Sequence, residues 1–164
     1  MEHAVIGAMA LAFHGVIRAS LDADALLFLE GRSVESLADE FRKSGFMVEV
    51  RIGDVDDPIP ALIVLQDSHE NRVDLLAGLR NLDSKAASRT VPSDFEGVPL
   101  RFIGIEDLIA MKLFAGSQKD LDDARQAMAV SRASLDVSLL QELALRFGRK
   151  ERALLDSFLG ESGG

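Results

Sequence analysis

Apolar and polar positions change period several times along this 164-residue chain, and each change marks an element. Residues 3–6 form a short apolar run that reads as a strand. Residues 7–13, rich in alanine and methionine, read as a helix that Gly15 closes. Residues 22–29 return to strand character, with Asp22 and Asp24 at their start. Gly31-Arg32 turns the chain, and Ser33 can cap a helix reaching Lys43, because Val34, Leu37, Ala38 and Phe41 then share one face. Ser44-Gly45 stops it. Residues 46–52 alternate as a strand, residues 54–60 are a loop fixed by two prolines, and residues 61–65 read as a buried strand.

A hairpin-like turn over 67–71 brings the chain back as a strand over 72–77, which carries Asp74. Residues 79–89 read as a helix. Residues 90–95 and 99–103 read as two short strands around Glu96-Gly97, and the pattern is helical from Glu106 onward. Leu140, Leu143, Ala144 and Phe147 recur at helical spacing, as do Leu154, Leu155 and Phe158. Residues 160–164 read as a frayed tail. Two strands that pair after a helix imply an α/β (α+β) fold, a mixed sheet with helices packed on one face. The expected division is a sheet core over 1–104 and a helical segment over 105–160, joined in a single compact domain.

Composition narrows the chemistry. The length suits one domain with a core of its own, and nearly half the residues are apolar. Cysteine is absent, so any metal must take oxygen or histidine ligands. A formal net charge of −9 argues against a general nucleic-acid binder, which needs a basic footprint to displace counterions. Two local basic runs stand out, Arg80, Lys85, Arg89 and Arg101, then Arg146, Arg149, Lys150 and Arg152. Each reads as a solvated helix face or as a nucleic-acid surface. The apolar stretch over 4–13 lacks the basic leader of a signal peptide, and no run approaches the ~20 residues of a membrane span, so a cytoplasmic protein is expected.

Asp22 and Asp24 carry the strongest chemical signal. On a strand, residues i and i+2 share a face with Cα atoms roughly 6.6 Å apart, so two carboxylates can converge on a divalent cation. Buried as a bare pair they would be costly without a counter-ion, a shared proton or water. An Asp-x-Asp on a solvent-facing strand also arises by chance in acidic proteins. Gly7 stands where a strand meets a helix, a junction that can admit an anion or be purely structural. Arg18 can meet a phosphate or pair with an acidic neighbour, and His14 is read as packing at the helix end, since no second histidine lies at ligand spacing. Lys112 lies on an apolar helix face beside Leu108, Met111 and Phe114, so its ammonium must snorkel, pair or meet a ligand. Lys119 shares that face only if Gly116-Ser117 does not break the helix, and Asp120 can pair with either lysine.

The order of these features resembles a known family. A strand, Gly7-Ala8, a helix ending at His14-Gly15, Arg18, Ser20 and Asp22-x-Asp24 look like the opening motif of minimal nucleotidyltransferases of the DNA polymerase β superfamily. The likeness is closest to the abortive-infection, AbiEii toxin-like branch. Arg72-Val73-Asp74-Leu75-Leu76 resembles the strand carrying that family's third metal carboxylate. Asp107-Leu108-Ile109-Ala110-Met111-Lys112-Leu113, followed by Lys119-Asp120-x-x-Asp123, resembles its helical motif. Together the motifs span roughly residues 3 to 125.

The resemblance implies a nucleotidyltransferase-type sheet and an enzyme that moves NMP from an NTP to an acceptor hydroxyl. Asp22, Asp24 and Asp74 would be the catalytic carboxylates and the ligands of Mg2+ or Mn2+. Gly7, Ala8, Arg18, Lys112, Lys119 and Asp120 would serve the nucleotide. The acceptor would be a tRNA end or a protein side chain, and the partner a cognate antitoxin or toxin. Two departures are visible: relatives usually carry Gly-Gly or Gly-Ser where this chain has Gly7-Ala8, and they generally carry a helix before the first strand. Both suit an alternative, a catalytically inactive module of the same fold that binds nucleotide or a partner protein.

Overall fold

The computed structural model describes residues 2–18 and 22–161. Ser20 and the tail beyond residue 161, both singled out above, lie outside the described residues. Strand β1 (Glu2–Ile6) runs directly into α1 (Gly7–Phe13), and β2 (Ala23–Phe28) returns beside it. There follow α2 (Val34–Lys43), β3 (Met47–Ile52), β4 (Ala61–Gln66), β5 (Arg72–Leu76) and the hairpin β6 (Val91–Phe95) and β7 (Val98–Phe102). Four helices complete the fold: α3 (Ile105–Ala115), α4 (Gln118–Val130), α5 (Val137–Phe147) and α6 (Arg149–Glu161).

All seven strands form one mixed sheet in the order β3-β4-β5-β2-β1-β7-β6. The pairs β2–β5 and β1–β7 are parallel and the other neighbours antiparallel. Alternation along β2 divides two cores. Leu26 and Phe28 join the large core with β1, α1 and α3 to α6, whereas Ala25 and Leu27 join Leu37, Ile63, Leu65 and Leu75. The helices therefore divide between the sheet faces, with α2 alone on the second. Its start is fixed by Ser33, whose hydroxyl accepts from the Ser36 N–H at 3.1 Å.

Helix α3 is apolar almost all round because it has neighbours almost all round. Leu108, Ile109, Ala110 and Leu113 are buried, and α1, α4, α5 and α6 pack against it. Asp107 in its first turn is only 1% exposed, and Arg89 meets both its oxygens at 2.7 Å while also reaching Asp83. The Asp107 hydrogen bonds, foremost, raise the pKa of Arg89 and keep its charge fixed. Removing one partner from such a buried pair costs about 3–5 kcal/mol, so this clamp ties the β5–β6 connection to α3.

Two local expectations are corrected, and one alternative left open is decided. Residues 79–89 do not form a helix, and only Ala86–Arg89 makes a 3-10 turn. Gly78 and Asn81 both have positive φ, which interrupts helical hydrogen bonding, and Arg89 is drawn away to Asp107. Gly160 belongs to α6, because Phe158 is buried two residues earlier and Arg125 reaches Glu161 at 3.7 Å. The helix through Lys112 does break: Gly116, at φ 68°, ends α3, and Ser117 caps α4 by accepting from the Asp120 N–H. Lys112 and Lys119 thus stand on different helices.

Candidate active site

The site forms where β2 and β5 run parallel at the centre of the sheet. Register places Asp24 directly beside Asp74, and Ile6 beside Asp24 on the other flank. The two carboxylates start from Cα atoms ~4.8 Å apart and share the face covered by the C-terminal helices. Asp22 lies exposed at the bend that enters β2. Burial, then repulsion from Asp74 and from Asp22, raises the pKa of Asp24, while Lys112 and Arg18 partly oppose the shift. Four of the expected side chains thus act on a fifth, Asp24, although positions 18 and 112 stand far apart in the chain.

Gly7 is part of this arrangement. It has φ 63°, and a Cβ there would fall 2.2 Å from Asp24 Oδ2. The absent side chain makes room for the Asp24 carboxylate itself. Ala8 is buried at 6% exposure, so its methyl group packs inward.

The cations are held by acids from α4. Lys112 Nζ lies 2.7 Å from Asp120 and 2.9 Å from Asp123, and Arg18 donates to the same Asp123 oxygen at 2.8 Å. Burial works against the Asp120 charge, yet hydrogen bonds from Lys112 and Ser117 together outweigh it and hold its carboxyl below the ordinary value. Asp123 is 4% exposed and bridges the loop after α1 to α3. Lys119 is exposed on α4 and forms no ion pair among the described residues.

Two residues stood inside the quoted motifs without a role. Arg72 grips both Asp74 oxygens at 2.7 and 2.9 Å, since i and i+2 share a strand face. Asp123 follows Asp120 by three positions on one helix face, the spacing that lets both reach Lys112. With Asp74 so engaged, no three acidic or histidine side chains among the described residues converge closely enough to hold an ion. The donor set still fits a hard divalent cation. Asp24 and Asp74 are carboxylates held side by side, and the Arg72 pair, 40% and 20% exposed, is of the partly solvated kind worth about 1 kcal/mol or less.

The basic runs are largely spent within the fold. Arg80 donates to the carbonyls of Asp54 and Asp57, Arg89 to Asp107 and Asp83, Arg101 to Thr90, and Arg152 to Asp156. His14 meets the Ile103 carbonyl at 2.8 Å, a packing role. No helix among the described residues is long and apolar enough to cross a membrane.

With this geometry in view, the sequence from residue 1 to 153 matches the family described as nucleotidyltransferase of unknown function (DUF6036). The chain belongs to that family. Among curated proteins, none is similar in sequence. Solved structures share the fold. An antigenic nucleotidyltransferase-like protein from Paracoccidioides brasiliensis is 15% identical with a TM-score of 0.55, over 96% of this chain and 84% of its own. The antibiotic-resistance factor ANT(2'')-Ia is 16% identical with a TM-score of 0.57, over 97% of this chain and 88% of its own. The same factor in complex with adenylyl-2''-tobramycin gives 0.54 at 16% identity, over 98% and 88%. At such identities the likeness is one of fold, here a nucleotidyltransferase sheet with its helices.

Proposed function

We propose that this protein transfers a nucleoside monophosphate from an NTP to an acceptor hydroxyl, with Mg2+ or Mn2+ held by Asp22, Asp24 and Asp74. The observation that carries the reading is the in-register pairing of Asp24 with Asp74, with Lys112 and Arg18 close enough to act on Asp24. The fold holds these like charges together at the expense of raising the Asp24 pKa, as a site for a cation and a triphosphate would require. The ion, when bound, neutralises charge developing on the phosphate. Asp74 receives the acceptor proton. Lys112 and Arg18 face the phosphates, Asp120 and Asp123 hold those cations in place, and Gly7 and Ala8 offer backbone N–H groups beside them. Lys119 is a further cation at the rim.

The acceptor hydroxyl belongs to a tRNA end, a protein side chain or a small molecule, the last being the case for the adenylylated tobramycin of the similar structure. The toxin-like motifs extend the proposal to a cytoplasmic partner, a cognate antitoxin or toxin. Incubation with each α-labelled NTP, magnesium, total tRNA and cell extract tests it. Label should pass to one acceptor class and be lost in Asp24→Asn and Asp74→Asn. The Arg72 grip on Asp74 favours one rival, an inactive module of the same fold. Absence of label, together with a melting midpoint unmoved by millimolar magnesium and NTP, would favour that rival in its partner-binding form.

A further inference from the structure

A cavity of about 510 Å³ opens at the Leu76 end of β5, walled by Ile59, Leu76, Leu79, Met111 and Phe114, with Arg80 at its side. Its position follows from the fold. Leu76 stands two residues beyond Asp74 on the same strand face, ~6.6 Å along β5, and Met111 immediately precedes Lys112. The loop between β3 and β4 closes it, because the Ala77 N–H donates to the Ala61 carbonyl and Arg80 is fastened to the carbonyls of Asp54 and Asp57. Gly7 and α1 lie on the opposite flank of Asp24, across β2. The cavity is therefore on the side of the proton-accepting carboxylate.

We propose that this cavity seats the acceptor, and that the acceptor is a small molecule with a flat apolar body, an acidic group and a hydroxyl. The proposal rests on the nucleotidyltransferase reading and narrows it. A volume of this size takes a ligand of two or three fused rings, and the walls are apolar except for a few polar groups, as in small-molecule sites generally. Phe114 supplies a ring, already stacked on Phe147 at 4.7 Å between centroids and so fixed in place. Arg80 forms no ion pair among the described residues, and its two carbonyl bonds orient the guanidinium without neutralising it. Among the described residues of the wall, Asp56 is the one carboxylate and Arg80 offsets it, so the cavity is not acidic, although the chain carries a net charge of −9. A polycation finds little here to bind it. In the reaction the acceptor oxygen bonds to the α-phosphorus, the bond from that phosphorus to the β-phosphate oxygen breaks, pyrophosphate leaves, and the hydroxyl proton passes to Asp74.

The probe is 6-hydroxynaphthalene-2-sulfonate, a fluorescent two-ring compound with both a hydroxyl and an anion. It should bind the full chain once, saturably, and leave ATP affinity in the presence of magnesium within twofold. Ala115→Trp fills the mouth from an exposed position at the end of α3, and should weaken the probe at least tenfold without changing ATP affinity. Arg80→Gln should also weaken it, through the anion, which keeps the test intact if the tryptophan variant folds poorly. Label from α-labelled ATP should appear on the probe hydroxyl. Competition between probe and ATP would overturn the proposal, because the cavity would then hold the base, and so would probe binding that neither variant affects. Failure of the underlying transferase reading shows separately, as wild-type protein that binds the probe but no ATP.

Discussion

Replacing Gly7 by alanine tests how the site is built. At φ 63° an L-residue is strained by about 1–2 kcal/mol. The added Cβ would stand 2.2 Å from Asp24 Oδ2, 3.0 Å from its Cγ and 3.2 Å from its Cβ. Ordinary contact begins near ~3.5 Å, so the oxygen must withdraw by about 1 Å. Rotation of the carboxylate relieves only part of the overlap, since Cγ is also too close, and an off-rotamer side chain adds about 0.5–1.5 kcal/mol. The expected loss is about 2–3 kcal/mol in urea unfolding, with part of it belonging to the pair rather than to the backbone. Gly7→Ala, Asp24→Ala and the double variant separate the two, because Asp24→Ala removes the two closest atoms and leaves the φ cost with only the milder 3.2 Å contact to Cβ.

The cycle should return a coupling of about 0.5–1.5 kcal/mol. Function should suffer more than the fold does, for a carboxylate displaced by about 1 Å loses on the order of 100-fold in rate. Label transfer by the well-folded Gly7→Ala protein reads that effect directly. Additivity within about 0.3 kcal/mol would refute the contact. A transfer rate equal to wild type would refute the claim that Asp24 must stand where it does.

Asp24 has its pKa raised in the fold, so the folded state binds this proton more tightly than the unfolded chain does. Stability from this group is present below about pH 3.9 and lost as pH rises through the folded value, so Asp24→Asn should raise the magnesium-free melting midpoint at pH 7 but not at pH 3. Magnesium should raise the wild-type midpoint and leave that variant unmoved; equal responses would contradict the cluster. Lys112→Met keeps the stem but removes the charge, and should cost about 1.5–3 kcal/mol of NTP affinity, read by titration calorimetry. Arg18 still holds Asp123 in that variant, so unchanged affinity in a folded protein would make Lys112 a purely structural partner.

The strands and most helices were legible because their signals are local. Period-two alternation and the Gly-Pro punctuation bounded β3 to β5, and Ser33 marked the start of α2. What remained hidden depends on partners the chain meets later. Residues 79–89 carry enough alanine and leucine for a helix, and the positive φ of Asn81 together with the clamp of Arg89 on Asp107, eighteen positions away, shows why they form a turn. Lys112 was legible as a cation needing a partner, but Asp123 lay in a different element, and spacing within α4 said nothing of which helix it would face. Likewise the alternation that marks β2 as a strand does not say which face α2 will cover.

The pairing at the centre of the site shows how far local pattern can carry. Asp24 and Asp74 are fifty residues apart, and no motif length relates them. Their alignment is enforced two positions on, where Leu26 meets Leu76 in the same parallel register and both face the large core. A slip of one residue would turn Leu76 toward the opposite face and bring Val73 or Leu75 beside Asp24. Burying a leucine side chain contributes about 1.5–3 kcal/mol, more than the exposed Arg72 grip contributes to Asp74. The carboxylates are therefore set in place by their apolar neighbours, and the charge repulsion between them is a load that the hydrophobic register carries.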